Sequence, residues 1–216
     1  MTVLLRTLIQ ESASPLVGVE NEFAIDSTGF GTRTYDRWVD EKWGKAKKRQ
    51  KFVKAHAICG TKTHIVTDVI VNSGGDAPQF EPLLDATCQR FTVEAVSADK
   101  AYLSKSINTA TFAAGAIPYI PFKVGITGQK GPELWRKMFH YYAFKREEFD
   151  RHYHRRSTIE TAFSMVKAKF GAAVRGRTTG AQTNEVLCKF LCHNIVVVVS
   201  SIYELKLAPE FWKEER

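Results

Sequence analysis

The sequence predicts an α/β fold in which a mixed sheet of five strands carries helices on both faces. Three observations predict it. Short apolar or alternating runs recur near residues 23–26, 52–59, 64–71, 93–98 and 117–122. The second and third are joined by Gly60-Thr61-Lys62, which reads as a hairpin turn. Helix-like segments separate the later strands, as parallel pairing requires.

Taken in order, residues 2–14 read as a short helix that stops before Pro15. Phe23-Ala24-Ile25-Asp26 is a buried strand bounded by the turn-like Ser27-Thr28-Gly29. A polar, basic loop follows to about Lys51 and includes Trp38 and Trp43. After the hairpin, Asp76 is placed to cap a helix that has Pro78 in its first turn and runs through Cys88. The 93–98 strand ends at Asp99, a helix covers 104–114, and Pro118 and Pro121 suit the 117–122 strand to a sheet edge. A long helix around 155–170 stops at Gly171, and an apolar helix spans about 184–205.

The chain of 216 residues is the size of one domain, and its 44% hydrophobic content gives it a core. Lys and Arg exceed Asp and Glu by eight charges. Such a surplus suits a polyanionic partner, because every neutralised phosphate releases counterions; solubilising charge is the plain alternative. The N-terminal apolar stretch is broken by Arg6, and the run from Ile195 to Tyr203 is too short to cross a bilayer. No membrane partner is therefore expected, and a core helix is. Cys59, Cys88, Cys188 and Cys192 form no Cys-x-x-Cys pair. Although Cys188, Cys192 and His193 are close in sequence, they have no second ligand pair, so reduced, buried thiols in a cytoplasmic protein are expected. His56 and His64 read as structural strand residues, and Trp135 as core packing rather than a surface for a displaced base.

Asp26 and Asp99 each follow apolar strand residues. A carboxylate there is costly unless it caps a turn, pairs, or holds a cation. On the long helix, Tyr153, Arg156, Glu160 and Lys167 fall within an arc of about 60° at about 100° per residue. Ile159, Val166 and Phe170 lie beside that stripe. An acid flanked by two cations and a phenol next to buried surface is either a salt-bridge ladder or part of a site.

The spacing Tyr153-x2-Arg156-x3-Glu160-x6-Lys167 resembles the helix signature of IS4-type insertion-sequence transposases. Ala24-Ile25-Asp26-Ser27-Thr28-Gly29 and Ala98-Asp99-Lys100-Ala101-Tyr102 are similar to the segments carrying that family's first two catalytic aspartates. The resemblance implies a ribonuclease-H-like DNA transposase catalytic domain with Asp26, Asp99 and Glu160 as catalytic metal ligands. Asp26 would bridge two Mg2+ or Mn2+ ions, and Asp99 and Glu160 would hold one each. The reaction implied is phosphodiester cleavage at element ends, then strand transfer into target DNA.

Tyr153, Arg156 and Lys167 would grip phosphates, and Lys100 would lie near the site. The basic loop residues Lys45, Lys47, Lys48 and Arg49 would track the DNA backbone. Relatives pair two ends in a dimeric synapse, so a homodimer is expected. They also carry an N-terminal region that reads the inverted repeats, and Asp26 lies too near the start for one to fit. Residues 1–20 are therefore expected to be a helical remnant ahead of a 21–216 catalytic domain, and the sequence reads as a C-terminal portion, a truncated gene copy, or a product made with another chain. The alternative function is a truncated, non-autonomous remnant that binds DNA without catalysis.

Overall fold

In the computed structural model, which describes residues 1–32, 52–126, 128 and 130–206, five strands form one sheet in the order β3–β2–β1–β4–β5. They are β1 (Glu22–Gly31), β2 (Phe52–Gly60), β3 (Val66–Val71), β4 (Ala95–Ala98) and β5 (Ile117–Tyr119). β1, β2 and β3 run antiparallel in turn, whereas β4 and β5 run parallel to β1. The helices are α1 (Thr2–Ser12), α2 (Ala77–Cys88), α3 (Lys105–Ala113), α4 (Glu133–Phe144), α5 (Arg146–Tyr153), α6 (Ser157–Phe170) and α7 (Thr179–Leu205). Helix α2 carries the chain from β3 to β4, and α3 from β4 to β5.

Alternation along β1 divides its side chains between two cores. Phe23 and Ile25 pack with Phe80 and Leu83 of α2 and Ile107 of α3. Ala24 and Phe30 pack with Ile159, Phe163 and Val166 of α6 and Phe190 of α7. Helices thus cover both faces, as the sequence predicts. Leu5 and Ile9 bring α1 into the second core.

Helix α7 is, among the described residues, long and apolar enough to cross a membrane. Half of that apolar stretch is buried against the protein, where the Asn194 side chain accepts from the Val66 N–H at 3.0 Å and donates to the Val66 carbonyl at 2.7 Å. Paying for a buried amide in this way fits a core helix.

Four elements differ from expectation. β1 runs on through Gly31 rather than stopping at Asp26, because β2 pairs with it as far as Gly31–Phe52. The helix expected around 155–170 starts after a joint: α5 ends at Tyr153, a 3-10 turn spans His154–Arg156, and α6 begins at Ser157. β5 ends at Tyr119. Asp76 stands at the start of α2 but makes no cap bond; its Oδ1 lies 2.8 Å from Lys54 Nζ and 3.2 Å from His56 Nδ1.

Candidate active site

Strand register brings the first two acids together. Ile25 of β1 stands opposite Ala98 of β4 in parallel pairing, so Asp26 and Asp99 emerge side by side from strands about 4.8 Å apart. At that point the strands part. β4 gives way to a 3-10 turn, Lys100–Tyr102, closed by the Tyr102 N–H donating to the Asp99 carbonyl at 2.9 Å. β1 continues along β2. The carboxyl ends of parallel strands that diverge in this way leave an open crevice.

The joint before α6 delivers the third acid. Arg156 Nη1 donates to Asp26 Oδ2 at 3.0 Å, while its Nη2 lies 2.7 Å from Glu160 Oε1. One guanidinium thus spans two of the three acids. Further along α6, Lys167 Nζ donates to Thr28 Oγ1 at 2.6 Å and sits 5.5 Å from the centroid of the Phe30 ring. Asp26, Thr28 and Phe30 share the face of β1 that α6 covers, by the period-2 alternation of a strand.

The electrostatics mark the same cluster. Burial pushes the Asp26 carboxyl above its ordinary range; the Ser27 N–H and Arg156 pull it down, and the charges of Asp99 and Glu160 push it further up. Burial opposes the charge on Arg156, but Glu160, Tyr153 and Asp26 outweigh it and hold the guanidinium above its usual value. Like charges gathered around a half-buried carboxylate do not help folding, which makes this cluster the candidate site. The donor set fits a hard divalent cation, because all three acids offer oxygen ligands. As the side chains stand, no three acid, histidine or cysteine side chains among the described residues are close enough to chelate a metal ion. The guanidinium lies between two of the acids.

The family described as transposase DDE domain matches residues 18–195, which include all three acids. The chain belongs to this family. No curated protein matches it. As a transposase domain it has DNA as its substrate, its class is that of the polynucleotidyl transferases, and its fold is the ribonuclease-H-like one.

Within the transposase domain, Asp26, Asp99, Glu160 and Arg156 come together, with Lys167 beside them on Thr28. Tyr153 is turned towards an aromatic cluster and stacks on Phe149 at 6.5 Å. Lys100 is exposed. Trp135 is core packing, edge-on to Phe122 at 4.9 Å. Lys45, Lys47, Lys48 and Arg49, like Trp38 and Trp43, lie outside the described residues. His193 points away from Cys188 and Cys192: it is buried with Nε2 2.9 Å from the His64 carbonyl oxygen, whereas both cysteines are exposed. That disperses the sequence cluster, and it corrects the expectation that these two thiols are buried. Three interactions around the cluster were not foreseen from the sequence. Thr28 holds Lys167, Glu22 pairs with Arg155, and the buried Tyr102 phenol feels the charges of Asp76, Asp26 and Asp99. Thr28 lies inside the Asp26 segment and so was within reach; the Glu22–Arg155 pair leaves no mark in the spacing.

Proposed function

We propose that this transposase domain cleaves a phosphodiester at the ends of an IS4-type insertion sequence and joins the freed 3′-hydroxyl to target DNA. Asp26, Asp99 and Glu160 are the ligands of two Mg2+ or Mn2+ ions in this reading. The observation that carries it is the gathering of acids from distant parts of the chain: strand register sets Asp99 beside Asp26, and one guanidinium joins Asp26 to Glu160. When bound, such ions activate the incoming oxygen and stabilise the leaving one in an in-line displacement.

The protein's own residues hold and orient. Asp26 is fixed by the Ser27 N–H at 2.8 Å, which leaves Oδ2 towards the crevice. Arg156 offers a planar fork and Lys167 a point charge for the phosphates flanking the scissile bond. Tyr153 backs Arg156, and Lys45, Lys47, Lys48 and Arg49 add charge for the DNA backbone. Two copies acting as a homodimer would pair two element ends, and a separate N-terminal portion would read the inverted repeats. The work would be done on the nucleoid, in the cytoplasm of a prokaryotic cell.

The test is cleavage of element-end DNA in the presence of Mn2+. Asp26→Asn, Asp99→Asn and Glu160→Gln each lower nicking by on the order of 10³-fold, the rate equivalent of several kcal/mol of lost charge stabilisation. Nicking that survives all three changes would reject the assignment. Salt-sensitive DNA binding with no cleavage under any divalent metal would favour the non-catalytic remnant instead.

A further inference from the structure

The guanidinium of Arg156 holds Asp26 Oδ2 and Glu160 Oε1 together, at 3.0 and 2.7 Å. Those are two of the oxygens that a divalent cation at this site would use. A guanidinium with two charge-assisted bonds to carboxylates is a direct electrostatic competitor for a cation. The same fork is equally suited to a phosphate, which offers it two acceptor oxygens in a matching plane.

The backbone around Arg156 is held in place, while its side chain and that of Glu160 keep access to solvent. It sits in the 3-10 turn His154–Arg156 between α5 and α6, and its neighbour Arg155 is tied to Glu22 at the start of β1. The Arg156 side chain retains 19% exposure and Glu160 retains 54%, so the pair is open to an incoming strand.

We infer that Arg156 competes with divalent cations for Asp26 and Glu160, and that a DNA phosphate relieves this competition by drawing the guanidinium away, so that DNA binding loads the metal site. The inference rests on the acids being the metal ligands, as proposed above. It adds an order of events: metal binds weakly to the free protein and tightly to the DNA complex. By linkage, the metal tightens DNA binding by the same factor. A domain built this way keeps its cutting chemistry tied to the presence of DNA.

The experiment is a calorimetric titration of the full chain with MnCl2, with and without a short DNA duplex. Without DNA, Arg156→Gln binds Mn2+ at least about 10-fold more tightly than the unaltered protein, a ratio at the low end of what removing two competing charge-assisted contacts is worth. Arg156→Lys keeps the charge but lacks the planar fork that pairs with both carboxylates, and falls between, at about 3-fold. Adding duplex tightens Mn2+ binding more for the unaltered protein than for Arg156→Gln. Equal Mn2+ affinity in all three free proteins would overturn the inference. If Arg156→Gln fails to fold by circular dichroism, Arg156→Lys decides alone, and parity with the unaltered protein is then the contrary result. Asp26→Asn separates the two claims. If it abolishes Mn2+ binding while the Arg156 changes have no effect, only the competition is lost; if it binds Mn2+ normally, the metal assignment itself fails.

Discussion

Two sets of carboxylates in this molecule lie against buried surface, and they are treated in opposite ways. Glu20, just ahead of β1, is 2% exposed, yet it accepts from the Thr63 N–H at 2.6 Å, the Thr63 hydroxyl at 2.7 Å and the Lys62 N–H at 3.1 Å. Gly60 makes room for it, since a Cβ there would fall 2.3 Å from Glu20 Cδ. Asp68 on β3 is likewise enclosed, gripped by Arg6 Nε at 2.7 Å and by Gln10 Nε2 at 3.0 Å. Asp26, by contrast, has one backbone donor, one arginine shared with Glu160, and two like charges beside it. A carboxylate that serves the fold fills its lone pairs with fixed donors. Asp26 is left crowded and partly open, as the proposed metal ligation requires.

Exchanging acids for amides sharpens that comparison from its largest effect downwards. Glu160→Gln lowers nicking by on the order of 10³-fold while changing stability little, because the side chain is 54% exposed. Glu20→Gln does the reverse. Its amide turns an N–H group towards existing donors, costs about 2 kcal/mol, and lowers Tm by about 6 °C without changing the cutting rate per folded molecule. Thermal melts and nicking rates on the same preparations check both. A Glu20→Gln protein as stable as the unaltered one, or a Glu160→Gln protein that still cuts, would erase the distinction.

A smaller effect concerns pH. Burial holds the His193 imidazole below its ordinary value of 6.5, against the opposing pull of the His64 carbonyl. As pH falls below 6.5 the unfolded chain takes up a proton that folded His193 refuses, so stability is lost on acidification. His56, also lowered by burial first, adds to the same slope. His193→Gln should therefore flatten part of the fall in Tm between about pH 8 and pH 5. Parallel curves for the two proteins would assign the slope elsewhere.

Much of the architecture was legible because it is written in local pattern. The hairpin at Gly60-Thr61-Lys62, the mixed sheet and the Gly171 helix stop follow from periodicity and turn chemistry. What escaped depends on distant partners. Ser27-Thr28-Gly29 reads as a turn, but pairing with β2 holds it in the strand. Asp76 has the sequence of a cap, but Lys54 and His56 on β2 claim its carboxylate. The α5–α6 joint hides inside a continuous helical pattern, and it alters the geometry on which the Tyr153–Lys167 stripe was drawn. For the site, the motifs gave the acids in order, yet apolar strand context alone does not separate Asp26 from Asp68. Only the register Ile25–Ala98 and the reach of Arg156 do that.

The most direct test of the central claim is anomalous scattering from crystals soaked in MnCl2. The account predicts manganese peaks bounded by the carboxylates of Asp26, Asp99 and Glu160, with Arg156 displaced from the Asp26–Glu160 pair. Manganese found only elsewhere on the chain, with the arginine still bridging those acids at saturating metal, would contradict it.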